Sequence, residues 1–168
     1  GRPLRMMGTV QDVTERRLAE RARAESEARL ARILRLSPDA ILVVDEEQRI
    51  QLFNQGVEGV FGYVAEELHG ESLEVLIPER FRGGHQDHVR GFMDSRQDSL
   101  LMSERGEISA LRKNGQEFPA EVSLSRLELG DRTVITVMLQ DVSERKKVLA
   151  EARAARAAAE IADRAKSE

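Results

Sequence analysis

Apolar and polar residues cycle with two different rhythms along this 168-residue chain, and each rhythm predicts a kind of element. From Glu15 to about Leu36 there is no Gly or Pro, and Ala19, Ala22, Ser26, Leu30 and Ile33 recur at steps of three and four. That is the seam of a two-stranded coiled coil. From Glu144 onward the same spacing returns in Val148, Ala152, Ala155, Ala159 and Ala162. Alanines bury roughly one methyl each, so this second seam is the weaker. Isolated helices of such length are marginal in water, which favours pairing of both arms.

Between the arms the rhythm changes. Ser37-Pro38 stops the first helix, because the residue before proline avoids the α region. "AILVVD" (40–45) and "RIQLFN" (49–54) read as strands of a hairpin, and Asn54 to Phe61 as a short helix. "VAEELHG" (64–70) is a further helix with Gly70 in its C′ position, and Pro78 opens a longer one running to about Ser95. "GEISALRK" then meets "QEFPAEVSLSRL" across Asn114-Gly115, a strong short hairpin signal. Phe118, Ala120, Val122 and Leu124 alternate with Pro119, Glu121, Ser123 and Ser125, so one face is core and the other solvent. Gly130-Asp131 turns the chain into "RTVITVMLQDV". Two strands, short helices, then three antiparallel strands predict an α+β domain: one five-stranded antiparallel sheet with short helices on one face.

The junctions repeat. "TVQDVTERRLAE" begins at Thr9 and "VMLQDVSERKKVLAE" at Val137. In both, a β-like run ends in Gln-Asp-Val, and Thr14 or Ser143 is then placed to N-cap the following helix. Glu15 and Glu144 fall in the electropositive first turn. Asp12 and Asp141, just before the caps, are placed to pair with a basic neighbour. With Arg145 in the second copy, these residues form the expected signal-relay set: Asp12, Thr14, Asp141, Ser143 and Arg145.

Composition narrows the chemistry. Charged residues reach 33% with a net charge of −4 and both signs interspersed, so nothing suggests a nucleic-acid footprint and no nucleic-acid partner is expected. The absence of cysteine excludes disulfides, thiolate metal sites and any cysteinyl photoadduct. No apolar run approaches the about 18 residues that span a bilayer, so no membrane insertion is expected and a cytoplasmic location is. "FRGGHQ" lacks the spacing and preceding strand of a phosphate loop. Glu46-Glu47 and Glu66-Glu67 read as solvated charge, and no nucleophile–base pair can be named. His69, at a helix end, reads as a dipole partner.

Particular residues within this order resemble the PAS sensor domain: "SPDAILVVDEEQRIQLFN", "VFGYVAEELHG", "LIPERFR", "RKNGQEFPAEVSLS" and "QDVSER", over about residues 30 to 145. Asn54 matches the asparagine that this family commonly carries after its second strand, where it bonds local backbone. "QDVT" resembles the last strand of a preceding PAS domain, and "AEIADRAKSE" the segment leading into the phosphoacceptor helix of sensor histidine kinases. The resemblance implies a fragment of a multi-PAS kinase. Its expected parts are the end of a preceding domain (1–13), a linker helix (14–36), the PAS domain (37–143) and a signalling helix (144–168).

In heme-binding PAS oxygen sensors the long helix carries a proximal histidine in a setting like that of His85. The resemblance therefore implies His85 as candidate ligand of heme b, presenting a neutral imidazole to an apolar slot. Leu101, Val122 and Leu124 match positions lining the distal side. The arginine those sensors use to stabilise oxygen falls on Gly106, with Arg105 one residue away and therefore facing the other side of a regular strand. His88, one turn on from His85, is a second ring on the same helix, and histidines three apart are a weak metal signal on their own.

The expected function is a non-catalytic sensory module of a cytoplasmic histidine kinase. It would dimerise through the flanking helices, contact neighbouring PAS and kinase domains, and relay a pocket or sheet change through "QDVSER" into the coiled coil. A ligand-free scaffold, or a regulator of a diguanylate cyclase, are the competing expectations.

Overall fold

The computed structural model describes residues 14–95, 97–102, 108–130 and 132–166. Asp12, Arg105, Gly106, Asp131 and the expected strand within 1–13 lie outside the described residues, and of Thr14, Glu15 and Ala162 only the backbone is described. The chain forms two compact units, the first ending at Arg35 and the second beginning at Leu36.

Helix α1, Thr14–Leu36, lies in the first unit but for its last residue. Its charges pair along the helix, Arg16 with Glu20 at 2.8 Å and Arg23 with Glu27 at 2.7 Å, the i,i+4 spacing that supports an isolated helix. Leu30 and Ile33, of the expected seam, are both 58% exposed.

The second unit carries a sheet of six antiparallel strands: β1 Ala40–Val44, β2 Ile50–Phe53, β3 Ser99–Leu101, β4 Ile108–Leu111, β5 Glu117–Leu129 and β6 Arg132–Asp141. Their order is β2-β1-β6-β5-β3, with β4 also on β5. The sequence predicted five strands, and the sixth has a simple origin. Thirteen-residue β5 is long enough to take two short partners in series along one edge: β4 against 117–120 and β3 against 123–125. Ten register pairs, from Ala120↔Asp141 to Leu129↔Arg132, join β5 to β6.

One face of the sheet is covered. Ala40, Leu42 and Val44 of β1, Ile135, Val137 and Leu139 of β6, and Phe118, Ala120 and Leu124 of β5 are all buried, at the period of two that a half-buried strand requires. Packed on them are helices α2 (Gln55–Phe61), α3 (Ala65–Leu68) and α4 (Glu79–Met93), with a 3₁₀ turn at Leu73–Leu76. Phe61 of α2 meets Phe118 edge-on, ring centres 5.6 Å apart.

Asn54 fixes where this layer starts. Its side-chain oxygen accepts the Ile41 N–H at 2.9 Å, and its amide donates to the carbonyls of Asp39 (2.9 Å) and Ser37 (3.4 Å). The bonds thus reach the first strand of the hairpin and the segment leading into it. Gly56 lets α2 lie against that same segment, since a Cβ there would sit 2.2 Å from the Asp39 carbonyl oxygen. After β6 the chain enters helix α5, Ser143–Lys166, whose Val148, Leu149 and Ile161 are exposed.

Candidate functional site

Between the sheet and α4 lies a cavity of about 380 Å³. Leu42 of β1, Val122 and Leu124 of β5, and Val137 and Leu139 of β6 form its sheet wall; Phe61, Leu73, Leu76, Ile77 and Phe81 close the helical side. The volume lies within the range of small-molecule sites, which are mostly apolar with a few polar groups. Here the polar groups are Ser109 of β4 and the rings of His85 and His88, the two rings one turn apart on α4 and both on the wall.

The two rings differ. His88 is exposed, whereas His85 is half-buried and its Nδ1 is buried without a hydrogen-bond partner. Burial pushes the His85 imidazole below its ordinary pKa; Glu74 opposes the shift and His88 adds to it. A neutral ring is the form that binds metal ions.

The other expected lining residues are placed as follows. Val122 and Leu124 line the cavity. Leu101 is 47% exposed and does not, because in β3 it is Leu100, opposite buried Leu124, that shares the inner face, while Leu101 stands opposite Ser123. Arg105 lies outside the described residues. Met102 completes this side of the wall. The alternation in "SLLM" allowed either leucine inward; the register with β5 decides it.

A second constellation sits where β6 ends. Asp141 follows Val137 and Leu139 at the strand period of two. Its carboxylate pairs with the Arg112 guanidinium, which also donates to the Val60 carbonyl and lies 4.0 Å from the centre of the Phe118 ring. Arg112 itself follows the cavity-lining strand residues Ile108, Ser109 and Ala110. The Ser143 N–H donates to Asp141 Oδ1 at 2.8 Å, and the first α5 helical bond runs from Lys146 N–H to the Val142 carbonyl. The sequence predicted Ser143 as the cap. The structure gives the capping oxygen to Asp141, and the Ser143 hydroxyl is a donor to it. Burial resists ionisation of Asp141, but these Ser143 bonds and Arg112 outweigh it and hold the carboxyl below the usual carboxylate range. Arg145 pairs with Glu121 of β5. Thr14 is the first residue of α1. His69 Nδ1 stands 3.1 Å from the Gln51 carbonyl on β2, a partner outside its own helix.

The sequence did not single out two residues that the fold places with purpose-specific contacts or burial, Arg112 and Gln48. Arg112 sits in a hairpin turn rich in charge, and only the fold brings it 29 residues on to Asp141. Gln48 sits in an acidic turn that reads as solvent-exposed, yet is 6% exposed.

The profile of the PAS domain family matches residues 38–144. Sensor protein FixL of Bradyrhizobium diazoefficiens is 27% identical over 145 residues, covering 86% of this chain and 28% of that protein. Cell-division control histidine kinase PdhS of Brucella anthropi is 25% identical over 89% of this chain and 14% of its own length. Oxygen sensor protein DosP of Escherichia coli is 22% identical over 61% of this chain and 13% of its own. The chain thus spans less than a third of these curated relatives. Among solved structures, the PAS domain of an HTR-like protein from Haloarcula marismortui superposes with a TM-score of 0.61 at 24% identity, covering 74% of this chain and 98% of that one. No described helix is long and apolar enough to cross a membrane.

Proposed function

The chain belongs to the PAS domain family, and on that premise we propose that it is the sensory module of a cytoplasmic multi-PAS histidine kinase. Residues 37–143 sense, α1 and α5 pair with those of a second copy, and α5 carries the output towards a kinase. Similarity to the histidine kinase PdhS supports a kinase output over a diguanylate cyclase.

One observation carries the relay. Val137 and Leu139 of β6 line the cavity, and two residues further on Asp141 holds both Arg112 and the first N–H of α5. A ligand that moves this wall therefore moves the acceptor that starts the output helix. Weak Ala-rich packing leaves alternative registers of the paired helices within a few kcal/mol, so a small displacement can select between them.

The ligand we propose is heme b, held by His85. The residues fit it: burial favours the neutral ring, the ring lines a mostly apolar cavity, and its Nδ1 is buried without a hydrogen-bond partner. Bound heme would supply the affinity for diatomic gases that the pocket's own side chains lack. Leu124, Val122 and Met102 supply apolar wall to the same cavity, and His85 would fix the ligand to the helix. A ligand-free scaffold is the weaker reading, since a core that needed no ligand would close over its own side chains.

A single titration tests both parts. Hemin added to the chain should give a sharp Soret band that His85→Ala abolishes. Disulfide formation between cysteines placed singly along residues 144–160 should change pattern on loading. No band removes heme from the proposal; a band with an unchanged crosslinking pattern removes the relay.

A further inference from the structure

Among the described residues, two buried side-chain polar atoms lack a hydrogen-bond partner: His85 Nδ1 and Gln48 Oε1. Native proteins tolerate few such atoms, because each has given up water for nothing. These two are chemically complementary. A neutral imidazole carries one N–H and one acceptor nitrogen, and an amide oxygen only accepts.

They also converge on one turn of one helix. The Gln48 amide Nε2 donates to the backbone carbonyl of Gln86 at 3.3 Å, and Gln86 is the residue after His85. Gln48 is held there from three sides. Its N–H donates to the Asp45 carbonyl at 3.0 Å, and its carbonyl accepts the Leu73 N–H at 2.9 Å, tying the β1–β2 turn to the 3₁₀ turn. Its backbone lies in the left-handed region at φ 61°, where among the described non-glycine residues it stands alone. That conformation is disfavoured for a residue with a side chain. It aims the amide into the protein rather than out of an acidic turn, and such outliers concentrate where a side chain must be placed.

We propose that Gln48 is the positioning residue of His85: its side-chain oxygen takes up the Nδ1–H of the imidazole across one bridging water, so that Nε2 is the nitrogen presented to the cavity. Ring nitrogens that face a ligand are set by the bond the other nitrogen makes. The proposal deepens the pocket reading above and rests on it for its purpose. Its test does not, because the tautomer exists before any ligand binds. Glu74 from the 3₁₀ turn and His88 from the same helix also face the ring electrostatically, and both stay unchanged in the variants.

The experiment is a ¹⁵N–¹H long-range correlation spectrum of the whole chain with labelled histidine, above pH 7 and without hemin. In the wild type His85 should carry its proton on Nδ1. Gln48→Leu, which keeps bulk and removes the acceptor, should shift the tautomer ratio towards Nε2–H by about tenfold, the factor that one ordinary hydrogen bond supplies. Gln48→Gly relieves the left-handed backbone and so remains foldable if leucine is not tolerated; it should give the same shift. Gln48→Glu should restore Nδ1–H. A wild-type His85 protonated on Nε2 overturns the proposal. So does an Nδ1–H ratio unchanged in both acceptor-free variants, with native circular dichroism.

Discussion

Replacing Asp141 by asparagine separates the charge of the junction from its shape. The amide keeps an oxygen for the Ser143 N–H and loses the charge that Arg112 answers. Removing one partner of a fully buried pair costs about 3–5 kcal/mol, and an exposed pair is worth about 0–1. Here the two side chains are 21% and 25% exposed, which places the loss between those limits, at about 2 kcal/mol. For a domain of this size that lowers the thermal midpoint by about 8 °C. The pH dependence fixes the sign. Because the folded carboxyl is held below its usual range, its stabilisation is fully present above the unfolded value of about 3.9 and disappears as pH falls through the depressed one. Urea unfolding of the whole chain should therefore show a constant gap between wild type and Asp141→Asn from pH 8 to 5, narrowing below about pH 4. A double-mutant cycle with Arg112→Met should return a coupling of about 1–2 kcal/mol. Equal midpoints at pH 7, a gap that survives acid, or additivity within about 0.5 kcal/mol would refute the pairing.

Two glycines of α2 should respond oppositely to alanine. Gly59→Ala meets no atom within 4 Å and should gain about 0.5–1 kcal/mol in helix propensity, whereas Gly56→Ala drives a Cβ to 2.2 Å from the Asp39 carbonyl oxygen and should lose about 3 kcal/mol or more, read from chemical denaturation. His85 supplies the pH test of the pocket. Burial lowers its folded pKa, so the unfolded state binds the extra proton, and stability falls as pH drops below about 6.5. His85→Leu should flatten that part of the profile between pH 7.5 and 5; an identical slope in both proteins contradicts a buried neutral ring.

Short-range chemistry was legible in the sequence. Asn114-Gly115 predicts its turn because Gly115, at φ 84°, takes the left-handed position, and the alternation in 118–124 predicts which side chains of β5 face inward. The pairing of Asp141 with a basic residue was readable as a need, though not its partner, since Arg112 comes from the far side of a hairpin. Choices between neighbours were hidden. Leu100 rather than Leu101 faces inward because β3 takes its register from β5, and the helix-starting oxygen is that of Asp141 because Ser143 already lies within the helix. Gln48 was illegible for a different reason. Three acidic neighbours, Asp45, Glu46 and Glu47, mark the turn as solvated, and a left-handed backbone, which no composition reveals, turns one member of it inward.

The register Ala40↔Leu139 has a consequence for how such a unit can be reused. The first residue of β1 and a residue close to the end of β6 are opposed across one antiparallel step, so the backbone arrives and departs about 5 Å apart. A segment whose two ends meet this closely can be excised, duplicated or exchanged between helical stretches with almost no change in the gap to be bridged. Evolution could therefore string copies like beads without redesigning the thread, and an engineer can cut at the same place.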